Sequence, residues 1–135
     1  MDWTQYFSQK LREQEEAASN EERQRRIRQE HFEQIVTDAY RKIRDACAAN
    51  RINSSYREDS GHNFWIGDYR FRMHLVGQFD SMKIATYAYL ERPAEQKSLD
   101  NVKNPAGDSE ILAISADDIC RYLLDHYLIL RGSRR

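Results

Sequence analysis

The chain is expected to fold as a two-layer α+β protein: a long N-terminal helix, an antiparallel sheet of about four strands, and a buried C-terminal helix. Three observations predict this. Apolar residues recur at three- and four-residue steps before Asn50, they alternate with polar ones between Tyr69 and Glu91, and helical spacing returns after Ser115.

In the first helical segment, from Asn20 to about Asn50, Ile27, Ile35, Val36, Ala39, Ile43, Ala46 and Cys47 form one stripe flanked by Phe32 and Tyr40. Residues 3–18 carry a shorter stripe of Trp3, Phe7 and Leu11, with Asp2 placed to cap the helix start. Between the stripes, LREQEEAASNEERQRRIR offers almost nothing to bury. Ser19 with Glu22 fits a capping box, so the helix could break at 19–20, yet no Pro or Gly forces it to. The expected organisation is an N-terminal helical arm over 1–19 and a single α+β domain over 20–135.

Length makes the arm informative. One helix over residues 3–49 spans about 70 Å at ~1.5 Å per residue, whereas a domain of this size is roughly 35 Å across. The helix therefore either turns back near Ser19 and Asn20 or projects.

In FWIGDYRFRMHLV, Tyr69, Phe71, Met73 and Leu75 alternate with Asp68, Arg70, Arg72 and His74, the pattern of a half-buried strand. A four-residue loop over 77–80 returns the chain into MKIATYAYLE, with Met82, Ile84, Thr86 and Ala88 on the apolar face. Residues 51–58 read as a weak edge strand and EILAIS at 110–115 as a better one, joined to the hairpin by a long polar connection over 91–109. Ser115 and Asp118 make a capping box for ADDICRYLLDHYLILR, which closes at Gly132. Its apolar residues cover most of its circumference, predicting burial on several sides.

Composition narrows the function classes. With 32% charged and 40% hydrophobic residues over 135 positions, the chain suits one folded domain rather than a disordered or membrane-embedded one. The net charge of −1 argues against coating nucleic acid by bulk electrostatics. The first residues show no basic leader followed by an apolar run, so a cytoplasmic protein is expected. Cys47 and Cys120 fall on inner helix faces and read as reduced, buried thiols.

No catalytic constellation stands out, and neither a cofactor nor a metal is expected. His31, His62, His74 and His126 are scattered without ligand spacing: three read as surface or cap residues, His126 as bonded to backbone or to a neighbour. Asp80 with Glu95 and Lys97 imitates a magnesium-nuclease pattern, but the later pair sits in a polar loop. Asp117 and Asp118 suit a helix start.

Two surfaces remain. Trp3, Tyr6, Phe7 and Leu11 make an aromatic-rich helical face that either covers the chain's own sheet or docks a partner, as a homo-oligomer (a dimer) or with another protein. A membrane partner is not expected, because Glu13, Glu15 and Glu16 follow immediately. On the second face of the hairpin, Arg70, Arg72, His74 and Lys83 lie beside Tyr87 and Tyr89, a combination that suits RNA or single-stranded DNA, although Asp68 and Glu91 share that face and favour a solvated or partner-covered sheet surface. The RQRRIR run with Arg131, Arg134 and Arg135 could add to it, although Glu21, Glu22 and Glu30 bracket the run as in an ion-paired exposed helix. The leading expectation is a non-enzymatic interaction or self-association module using the arm, with nucleic-acid binding as the alternative.

Overall fold

A computed structural model describes residues 2–91 and 94–133. Helix α1 (Trp3–Ala49) runs unbroken through Ser19 and Asn20, and the Ser19/Glu22 capping box does not form. Its start is capped as expected, the Gln5 amide donating to Asp2 Oδ1 at 2.8 Å. Five strands follow: β1 (Ser54–Glu58), β2 (His62–Ile66), β3 (Tyr69–Gln78), β4 (Ser81–Glu91) and β5 (Ala94–Ser98). They form an antiparallel meander in the order β1-β2-β3-β4-β5. A short 3₁₀ turn (Ile111–Ala113) leads into helix α2 (Ala116–Ser133).

The α+β class and the order of helix, sheet and helix are those the sequence predicts, with five strands in place of about four. FWIGDYRFRMHLV is split by a two-residue turn at Gly67 and Asp68, with Gly67 at φ +60° in the left-handed region. The β3–β4 hairpin closes on Phe79 and Asp80 alone, since Gln78 pairs with Ser81. That is two residues shorter than the expected loop, and a shift by an even number keeps every side chain on its face. Met82, Ile84, Thr86 and Ala88 are accordingly buried.

Of the two remaining strand expectations, 51–58 holds the edge strand β1 (Ser54–Glu58), whereas 110–115 does not form a strand and 94–98 does. Residues 94–98, expected within a loop, pair with β4 as an exposed edge strand. Residues 110–115, expected as a strand, form the 3₁₀ turn because the Glu110 carboxylate accepts hydrogen bonds from the Ile111 and Leu112 amides. The same carboxylate accepts from the Met82 amide and pairs with Arg28, so it ties α1, β4 and the turn together. Arg28 completes the junction by donating to the Asp80 carbonyl at 3.0 Å.

Both helices cover one face of the sheet. Phe32, Ile35, Val36, Ala39, Ile43 and Cys47 of α1 join Phe64, Ile66, Phe71, Met73 and Ile84 of the sheet and Ile119, Leu123, Tyr127 and Leu130 of α2 in one cluster. Ser115 and Asp118 form the expected box, each backbone amide donating to the other's side chain. The last helix departs from expectation in one respect: it is buried along one side only, and Leu128 and Ile129 stay exposed. Both cysteines are free, and burial raises both thiols above their ordinary pKa.

Candidate functional site

Three features could carry function, and they lie on different surfaces. The first is the arm. Every residue from 2 to 23 is exposed, and α1 first buries a side chain in its domain at Arg28. Trp3 is 79% exposed, Phe7 59%, Tyr6 56% and Leu11 41%, so these four do not fold back onto the sheet. From Leu11 to Phe32 is 21 residues, close to six turns at ~3.6 residues per turn. The aromatic stripe therefore points to the same side of α1 as the core stripe, overhanging empty space beside the domain.

The charges on the arm are segregated. Glu13, Glu15, Glu16, Glu21 and Glu22 run without a base between them, and Arg23, Arg25, Arg26 and Arg28 follow without an acid. Within the arm Lys10 pairs with Glu13 at 3.4 Å and Arg26 with Glu22 at 3.1 Å. Arg23 and Arg25 make no ion pair among the described residues.

The second feature is the uncovered sheet face. The register puts Trp65, Arg70, Tyr89 and Gln96 in one row across β2 to β5, and Asn63, Arg72, Tyr87 and Ser98 in the next. Arg70 lies over the Tyr89 ring at 4.1 Å and the Trp65 ring at 6.0 Å, a guanidinium between two aromatic faces. The expected residues thus share a face, joined by Trp65, which the undivided-strand reading left out. They are less available as cations than their number suggests. Arg72 donates to the Ser60 carbonyl, and His74 is packed beneath Gly61. Burial, then the Arg72 charge, lower the His74 pKa, so its ring is neutral at pH 7. Lys83 is exposed near the far end of the hairpin. Arg134, Arg135 and the side chain of Glu91 lie outside the described residues.

The third feature has no counterpart in the sequence reading. A cleft of about 810 Å³ between α1 and the sheet is lined by Glu33, Glu58, His62 and His74 among others. His62 is only 4% exposed, which corrects its reading as a surface residue. Its Nε2 lies 3.0 Å from Glu33 Oε1 and its Nδ1 2.5 Å from the Tyr56 hydroxyl. With Nε2–H donating to the carboxylate, Nδ1 accepts the hydroxyl hydrogen. The signal was present in HNFWI: stepping back by two from the buried Phe64 turns His62 inward, and Glu58, its cross-strand partner, faces the same way.

The other histidines are tethered. His31 bonds the Ile114 carbonyl at 2.8 Å, and His126 packs against Tyr122 with the rings tilted at 59° and reaches Asp100 at 3.2 Å. Asp118 caps α2, but Asp117 does not; it pairs with Lys42 at 2.6 Å across the helix interface. Glu95 and Lys97 do lie on a strand, though an exposed edge one, with Glu95 opposite Leu90 and Asp80 at the other end of β4. That separation rules out a shared metal for the nuclease-like trio. No described helix is long and apolar enough to cross a membrane. Compared with known protein families, with curated proteins and with solved structures, the chain finds no match in any of the three.

Proposed function

We propose that the protein is a non-enzymatic self-association module in which two copies pack their arms antiparallel, each arm lying along the partner's domain. The observation that carries this reading is the aromatic face of Trp3, Tyr6, Phe7 and Leu11, held in solvent on a helix that leaves its own domain at Arg28. An exposed aromatic cluster of this kind is a recognition element rather than a solvated surface.

Length and charge favour a second copy as the occupant. Residues 3–26 extend about 36 Å at ~1.5 Å per residue, which matches the roughly 35 Å width of one such domain. A two-fold axis near residues 22 and 23 sets the acidic block of one arm against the arginines of the other, whereas parallel arms would set like against like. Exposed pairs of this sort add little affinity and chiefly choose the orientation. The binding energy comes from the aromatic tip.

Sedimentation equilibrium on the full chain tests the reading. The expected result is a mass twice that of one chain, falling to the single-chain mass when Trp3, Phe7 and Leu11 are changed together to Ala. Spin labels at position 10 in the two copies should lie roughly 40 Å apart if the arms are antiparallel and about 10 Å apart if parallel, given ~1.5 Å per residue along the helix. A single-chain mass for the unmodified protein at all accessible concentrations would end the proposal.

A second reading, RNA or single-stranded DNA on the open sheet face, is favoured by the Trp65–Arg70–Tyr89 row, which offers ring faces for bases and a cation for phosphate. It predicts oligonucleotide binding that weakens steeply with salt and is lost in Arg70→Ala. Binding indifferent to Arg70 counts against it.

A further inference from the structure

Among the described residues, one set of three metal-ligating side chains converges: His62, Glu33 and Glu58, whose donor atoms lie within 4.8 Å of one another. They come from β2, from α1 and from β1, so only the folded chain assembles them. We propose that this cluster is a site for a divalent first-row transition ion, held by His62 Nε2 and the carboxylates of Glu33 and Glu58 at the cleft beside α1.

Four observations support it. The His62 imidazole is the buried floor of the site, while both carboxylates stand at its exposed mouth, which leaves open positions for water on the ion. The ring is held from outside the cluster by Tyr56 at Nδ1, the kind of outer partner that orients a ligating histidine.

The 3.0 Å between Nε2 and Glu33 Oε1 is close to the roughly 3.3 Å that separates two donors on a tetrahedral ion with ~2.0 Å bonds. Glu58 makes no ion pair among the described residues, so two carboxylates face one imidazole with no other cation bound between them. An ion on Nε2 requires the other neutral tautomer: the ring proton moves from Nε2 to Nδ1, and the Tyr56 hydroxyl turns from donor to acceptor of that Nδ1–H. One nitrogen and two carboxylates suit Zn²⁺, Mn²⁺ or Fe²⁺; all-oxygen ions such as Mg²⁺ and Ca²⁺ gain nothing from the imidazole.

Calorimetric titration of the full chain with Zn²⁺ should show one equivalent bound, with a rise in melting temperature that equal Mg²⁺ or Ca²⁺ does not produce. Glu33→Gln and Glu58→Gln should each weaken binding by more than tenfold, and Tyr56→Phe by roughly tenfold. Because His62→Ala could unfold the sheet edge, Glu58→Gln is the decisive variant: its side chain is exposed and unpaired. Added Mn²⁺ should broaden the His62 ring resonances before those of His31 and His126. Absence of Zn²⁺ binding, or binding unchanged in Glu58→Gln, overturns the proposal.

Discussion

The two halves of α1 share one unbroken backbone and differ in almost everything that stabilises it. Residues 28–49 bury Arg28, Phe32, Ile35, Val36, Ala39, Ile43 and Cys47 against the sheet and α2. Each large apolar side chain among them gains about 1.5–3 kcal/mol from leaving water. Residues 3–27 bury no side chain at all, and are held by an Asp2 cap, strong helix formers and two intrahelical ion pairs worth ~0.3–0.5 kcal/mol each. An isolated peptide of that length would be marginal in water. The arm is helical because the docked half has already nucleated the helix and the arm only extends it. Tertiary packing thus supplies stability to one half, and the other half becomes free to serve as a binding surface.

The largest effect on this comparison should come from the docked half. Ile43→Ala leaves a cavity in a site that is 1% exposed, and urea denaturation should show a loss of roughly 2–5 kcal/mol. An equivalent truncation in the arm, Leu11→Ala, should leave the domain's unfolding free energy unchanged when measured on dissociated chains.

Arg28→Ala strikes the point where the halves meet. It removes the partner of the half-buried Glu110 and the donor to the Asp80 carbonyl, and should reduce stability by about 2 kcal/mol. Hydrogen exchange should then show the β3–β4 turn and the 3₁₀ turn opening before the rest of the sheet. Equal loosening everywhere would mean that Arg28 is not the junction.

Ser19→Pro separates the halves directly. A proline inside a helix costs about 3 kcal/mol locally. Here it should break the arm, lower the helical circular-dichroism signal and abolish self-association, while the domain's unfolding free energy in urea stays within about 0.5 kcal/mol of the unmodified protein. A large fall in domain stability would show that the arm is part of the cooperative unit.

The smallest effect concerns the exposed Lys42–Asp117 pair between the helices. The Lys42 ammonium, through its hydrogen bond and its charge, holds Asp117 below the ordinary value of 3.8; the carboxylate holds Lys42 above 10.5. The pair's stabilisation is complete between those values. It is lost as pH falls through the folded pKa of Asp117, and again as pH rises through that of Lys42. Lys42→Met should therefore flatten the melting-temperature profile only at those two extremes, by a small margin given the exposure of both groups.

Local patterns were sufficient wherever one element faced one core. The stripes of α1, the alternation of β3 and β4, and the caps at Asp2 and Ser115 needed only neighbouring residues, and the aromatic tip and the Arg70 face were legible for the same reason. Where a decision depended on distant groups, local reading missed it. Glu110 bonds its neighbours' amides while facing Arg28, so an apolar run that resembles a strand curls into a turn. Residues 94–98 form a strand because β4 offers an open edge, not because of their own propensity. The His62 cluster was least visible of all: the β1–β2 hairpin brings Tyr56, Glu58 and His62 together without any motif spacing, and Glu33 joins them only when α1 settles on the sheet.

The amino-acid sequence by itself determined that the segments on either side of Ser19 and Asn20 are helical, while leaving a break between them open; the structure joins them as one helix from Trp3 to Ala49. Only the tertiary structure decided which part of that helix is covered. The sheet and α2 reach no farther along α1 than Arg28, because the domain is narrower than the helix is long, and Trp3, Tyr6, Phe7 and Leu11 are left in water.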